Sequence, residues 1–234
     1  MLYLHEVIDI VGTGQEAYMA SVAERADRSK GLGIARLFGC WKVIGSTSRW
    51  PAVVNLWEMD DWAAWARALE RQFVPEHRDP SLAPWWARAT AWRSGGFDRI
   101  LDPTPYSPSL RDLERRGLRA WVCIQTVARM RPGVREAYLD AVGDELRPAL
   151  EGAGLTLMGA YRVPMRNEEA LLLWAAPDFR TATALWADRR RHRALRRWTR
   201  RQARWEVRLE MSWLVPGEFC FFHPRARKSS PEGS

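Results

Sequence analysis

The sequence predicts an α+β fold: two tandem ferredoxin-like βαββαβ units, packed sheet to sheet as an intramolecular pseudo-dimeric α/β barrel. Three observations predict it. The first is internal repetition. Glu16-Ala17-Tyr18 returns as Glu136-Ala137-Tyr138, and Leu37, Gly39, Trp41 and Val43 return as Leu157, Gly159, Tyr161 and Val163, all at an offset of 120. Leu56-Trp57 and Asp61-Trp62 return at 117 as Leu173-Trp174 and Asp178-Phe179. Trp85, Trp92, Leu101 and Pro103 return at 113 as Trp198, Trp205, Leu214 and Pro216. Each change of offset falls in a loop or helix connection, so the blocks stay colinear, as a duplication requires. The second is that both copies give the same order of strand-period and helix-period patterns. The third is that strands such as Val53–Trp57 and Leu171–Trp174 are apolar on both sides. A βαββαβ unit covers one sheet face with its helices, and packing the copies together buries the other.

The elements follow in order. Leu2 to Ile10 alternates apolar and polar residues and reads as a strand. Gly12-Thr13-Gly14 turns into a helix that reaches about Lys30 and stops at Gly31 and Gly33. Strands are expected over 34–44 and 52–58, around the turn Gly45-Ser46-Thr47-Ser48. Asp60 or Asp61 caps a helix running to about Phe73, Pro75 and Pro80 interrupt it, and a short helix over 81–92 precedes a strand over 96–101. The second copy gives strand 118–128, helix 133–151, strands 155–163 and 169–175, helices 178–190 and 191–204, and strand 206–214. The domains expected are therefore a first repeat at 1–101, a Pro- and charge-rich linker at 102–117, and a second repeat at 118–222. Residues 223–234 have the composition of a disordered tail.

Charge narrows the function classes. The net charge is +8, yet lysine stands only at 30, 42 and 228, and 28 acidic residues are interspersed among the arginines. The densest basic run, Arg189 to Arg204, falls on an expected helix and reads as a solvated face, so nucleic acid is not expected as a partner. Cys40, Cys123 and Cys220 have no CxxC or metal-ligand spacing and read as small buried hydrophobes in a reducing compartment. His5, Glu6 and Asp9 interrupt the first apolar stretch, which argues against a targeting signal. No apolar run is long enough to span a membrane. A cytoplasmic protein without membrane, metal or nucleic-acid partners is the expectation. Nothing matches a phosphate loop, a dinucleotide fingerprint, GxSxG or HExxH.

The residues Glu16-Ala17-Tyr18, Leu37-Phe38-Gly39-Cys40-Trp41, Val54 through Asp60, Arg78-Asp79-Pro80 and Trp85-Trp86 carry a family likeness. In them the first copy resembles the NIPSNAP-like branch of the dimeric α/β-barrel superfamily. The second copy departs at Ala175, which stands where the first has Glu58, and lacks a counterpart of Asp79-Pro80. The resemblance implies sheet-mediated pairing, here within one chain, either as a monomeric pseudo-dimer or as a homodimer of it. It also implies a range of chemistries, from cofactor-free monooxygenases, cyclases, isomerases and lyases to haem-binding enzymes. Some haem-binding members place an axial histidine near the position of His77 and His192.

Candidate site residues come from places where one copy is polar and its mate is not. His5 stands against Gln125, Glu6 against Thr126, Asn55 against Leu172 and Glu58 against Ala175. All four differences make the first copy the more polar, and polar groups on a buried strand are costly unless used. His5, Glu6 and Glu58 are therefore expected to move protons, with Glu6 and Glu58 as a carboxylate pair, and Asn55 to polarise a carbonyl. The structural alternatives are a backbone-bonded histidine and carboxylates facing arginines. Fourteen tryptophans exceed ordinary use. Tyr18, Trp41, Trp57, Trp62, Trp65 and Trp86 are expected to line an apolar pocket in the first copy, although most recurrent aromatics also suit a core. The functional expectation is a cofactor-independent enzyme (isomerase, cyclase, hydratase/lyase or monooxygenase type) acting on an apolar, polycyclic or terpenoid-like substrate in specialised metabolism or catabolism. The alternative is a non-catalytic binder of haem or another hydrophobic ligand.

Overall fold

The computed structural model describes residues 1–31, 33–188 and 192–226. The first half runs β1 (Leu2–Ile10), α1 (Gln15–Gly31), β2 (Arg36–Val43), β3 (Ala52–Met59), α2 (Trp62–Phe73), α3 (Leu82–Ala89) and β4 (Arg93–Pro103). Then come α4 (Leu110–Arg115), β5 (Val122–Arg129), α5 (Arg135–Ala141), a π turn (Val142–Leu146), α6 (Arg147–Glu151), β6 (Thr156–Arg162) and β7 (Glu169–Ala176). The series ends with α7 (Phe179–Asp188), α8 (Arg193–Arg204) and β8 (Arg208–Pro216). Asp61 caps α2 as expected, its carboxylate accepting from the Ala64 N–H at 2.7 Å. The expected helix over 133–151 is three pieces, because the π turn interrupts it.

The strands form one closed antiparallel barrel in the order β1-β3-β2-β8-β5-β7-β6-β4. Read within each half, the order is 4-1-3-2 in the first and 8-5-7-6 in the second. The two runs are joined edge to edge. Trp41–Val43 of β2 pairs with Leu214–Pro216 of β8, and Asp102–Pro103 of β4 pairs with Tyr161–Arg162 of β6. Registers match between the halves: His5 lies opposite Leu56 as Gln125 lies opposite Leu173. Both second strands bulge at the same place, Leu37/Gly39 and Leu157/Gly159.

Strand alternation sends odd-numbered β1 residues into the barrel and even-numbered ones under the helices. Inside, Tyr3 meets Tyr161 of the other half at 5.0 Å between ring centroids. The stretch between the halves is not a bare linker: β4 extends through Pro103, and α4 buries Leu110 and Leu113. A capping box holds its start, with Ser109 and Asp112 satisfying each other's backbone N–H groups. At the other end His223 is buried beside Trp121, so the expected disordered tail does not begin at 223. Residues 227–234 lie outside the described residues. Among the described residues, no helix is long and apolar enough to cross a membrane.

Candidate functional site

Sheet register places three first-half polar residues on one rung under the helices. Glu6 of β1 pairs with Asn55 of β3 on one side and with Asp98 of β4 on the other. Glu6 accepts from the Trp57 indole N–H at 2.7 Å and from the Asn55 amide at 3.1 Å. The same Asn55 amide reaches the Tyr18 hydroxyl of α1 at 3.2 Å, while its carbonyl oxygen is buried without a partner. Arg25 lies over the Trp85 ring at 4.5 Å, and Arg93 lies over Trp86 at 4.8 Å. Burial pushes Asp98 up to about 6, helped by the neighbouring Glu6 carboxylate, although solvent still reaches its side chain. Burial likewise pushes the Tyr18 phenol up.

Five of the sequence-derived residues therefore gather: Glu6, Asn55, Tyr18, Trp57 and, through Arg93, Trp86. The others do not join them. Glu58 is the register partner of Tyr3, so it faces the barrel side of the sheet while Glu6 faces the helices. There it accepts from the Tyr3 hydroxyl and the Leu110 N–H, both at 2.8 Å, and pairs with Arg36 at 2.5 Å. The expected Glu6–Glu58 pair is thus replaced by Glu6–Asp98, and Glu58 is an anchor for β1, β2 and α4. His5 also faces the barrel. It is 1% exposed, and its Nε2 meets the Gln125 amide oxygen at 2.7 Å. Burial lowers its pKa to about 4. Trp41 lies in the core, stacked on Phe222 at 5.6 Å. Trp62 is 48% exposed on α2. Trp65, with Trp57, Trp85, Arg25 and Leu4, lines a small cavity of about 130 Å³.

The matching rung in the second half has the opposite character. Thr126 pairs with Leu172 and with Met211, standing where Glu6, Asn55 and Asp98 stand. Between this apolar rung and the helices lies a cavity of about 600 Å³. Trp174 and Trp198 form aromatic walls, Leu146 enters from the π turn, and Gln202, Thr199 and Arg200 of α8 supply polar atoms. Such π turns often mark functional places in helices. An apolar cavity of about 600 Å³ therefore lies in the second half, whereas the tryptophan distribution pointed to the first.

Sequence reasoning missed Asp98 and this cavity. The signal for Asp98 was present: at an offset of 113 it stands against Met211, a polar residue against an apolar one.

Haem would need an axial donor from the protein. The lining of the large cavity contains no histidine or cysteine. His77 and His192 are exposed, and His223 accepts from the Arg225 N–H at 3.2 Å. Of the usual axial donors, histidine and cysteine are absent from this lining, while Tyr138 and Met211 are part of it. Among the described residues, no group of three or more His, Cys, Asp or Glu is placed to hold a metal ion.

No protein-family model matches the chain, and no curated protein matches it in sequence. Solved structures do match. A candidate monooxygenase from Lactobacillus acidophilus aligns with a TM-score of 0.63 at 9% identity, covering 92% of this chain and 93% of its own. A candidate chlorite dismutase aligns with a TM-score of 0.54 at 13% identity, covering 92% and 95%. A NIPSNAP domain protein from Burkholderia xenovorans aligns at 24% identity over 47% of this chain and all of its own, with a TM-score of 0.36. The likeness to the candidate monooxygenase and the candidate chlorite dismutase shows a shared fold, here an eight-stranded antiparallel α/β barrel.

Proposed function

We propose that this protein binds an apolar small molecule in the cavity between β5, β7, β8 and α5–α8. The contrast between matching rungs carries the reading. Glu6, Asn55 and Asp98 give way to Thr126, Leu172 and Met211, and these three line a cavity whose other walls are mainly leucine and tryptophan. A concave apolar space of this size with a few convergent polar groups is the usual form of a ligand site. The fold likeness to a candidate monooxygenase is in keeping with a small-molecule role, but residues rather than fold must carry the argument. Nile red, a neutral apolar dye, tests it. Saturable binding is expected, with energy transfer from tryptophan, and Leu209→Trp at the exposed rim of the cavity should weaken binding at least tenfold. Unchanged binding in that variant would place the dye elsewhere and remove the proposal.

A second reading, cofactor-independent acid–base catalysis on an apolar substrate, is favoured by the Glu6–Asp98 pair. A carboxyl group pushed up to about 6 beside a second carboxyl is suited to proton transfer near neutral pH. Asn55 would then orient a substrate carbonyl, and Trp57 would hold Glu6 in place. The pair is checked by carboxyl carbon NMR. Glu6→Gln should lower the Asp98 pKa without restoring its ordinary value, because burial is the larger cause. No change would uncouple the two groups and sink the acid–base reading.

We further infer that 1–101 and 118–222 are tandem copies of one unit, joined by 102–117. The matched registers, bulges and strand orders support this.

A further inference from the structure

The ligand cavity is bordered by an unusual helix. On α8, Arg193, Arg197, Arg200 and Arg204 recur at spacings of four, three and four, which stacks them along one face. All four are exposed, and none has an ion-pair partner among the described residues. Arg201, on the flank, is held by Glu145 of the π turn and lies over Trp205 at 4.8 Å. Together these side chains border a groove of about 670 Å³ that carries five arginines against one carboxylate. Like charges three and four residues apart oppose helix formation. The helix therefore bears a repulsion that a bound anion would relieve.

The second observation ties groove to cavity. Arg200 lines both. Its neighbours Thr199 and Gln202 line the apolar space, while Arg197 and Arg204 line the basic groove. An apolar body lying against Trp174 and Trp198 would thus emerge beside guanidinium groups, whose planar donors suit carboxylate and phosphate oxygens.

From this geometry we infer that the ligand is an amphipathic anion. Its apolar body fills the second-half cavity, and its phosphate or carboxylate head rests on Arg197, Arg200 and Arg204. The inference rests on the cavity being the ligand site, and it adds the chemical class of the ligand. The stripe of arginine then has a use beyond solubility.

The full chain is tested with decyl phosphate, decanol and inorganic phosphate, with the decyl phosphate below its micelle concentration and quenching of Trp174 and Trp198 as the readout. Decyl phosphate should bind at least tenfold more tightly than decanol at low salt, and the advantage should shrink as salt rises. A double Arg197→Gln, Arg204→Gln variant, altered only in the basic groove and not in the cavity lining, should lose most of that advantage and bind decanol as before. Equal binding of the two ligands would overturn the anionic head and leave the apolar cavity standing. Tight binding of inorganic phosphate with no gain from the decyl chain would make the stripe a plain anion surface and overturn the inference. Binding of neither decyl ligand would remove the cavity reading itself. A short oligonucleotide that binds more tightly than decyl phosphate would assign the stripe to a nucleic acid and overturn the inference as well.

Discussion

A neutral imidazole shut inside the barrel makes folding sensitive to mild acid. His5 titrates near 4 in the folded chain against 6.5 when free, so between these values the unfolded chain binds the proton more readily. Its contribution is therefore complete above about 6.5 and is lost as pH falls towards 4, on the order of 3 kcal/mol in all. His5→Gln should keep a hydrogen-bonding partner for Gln125 while removing the titration. Urea unfolding of both proteins across this range should show a wild-type slope that the variant lacks, and a slope common to both would assign the effect to other groups. At this scale the sequence was half legible. Comparing aligned positions picked out Glu6 and Asn55, which are hydrogen-bonded to each other, but it could not give the register across strands. Without it, Glu6 and Glu58 seemed to be neighbours, although a single step of alternation separates the two faces of the sheet.

Elements were the most legible part of the chain. Period-2 alternation located β1 to the residue, and Asp61 announced α2, because both signals are local. The bulges in β2 and β6 were not visible as bulges, although their glycines were among the repeated residues. Each has a packing cause. A Cβ on Gly39 would lie 2.3 Å from the buried Trp41 ring, and one on Gly159 would lie 2.1 Å from the Tyr161 hydroxyl. Gly39→Ala and Gly159→Ala should each cost about 1–3 kcal/mol of stability, as overpacking usually does, read as a lowered urea midpoint. An unshifted midpoint would mean that the rings move aside freely. The π turn was also hidden, since a one-residue widening of a helix leaves almost no trace in apolar periodicity. It matters because it turns Leu146 into the cavity and Glu145 towards Arg201.

At the scale of the whole molecule, the need to cover both faces of the sheet was legible, but the pairing of the strand edges was not. Apolar residues on both sides of β3 and β7 required cover on two faces, and the barrel interior and the helices provide it. Edge pairing through β2–β8 and β4–β6 is set by a few backbone hydrogen bonds, which leave no mark on composition. The second-half cavity drew no attention in the sequence for a related reason. Reading polarity as function draws attention to the half that has carboxylates, whereas an empty apolar space is produced by residues that attract none. His5 touching Gln125 carries a further implication. When two identical polypeptides meet, equivalent positions bring together two copies of the same side chain, and a donor cannot be matched to a different acceptor there. A continuous polypeptide escapes that restriction. One half is then at liberty to keep its charges while the other hollows out.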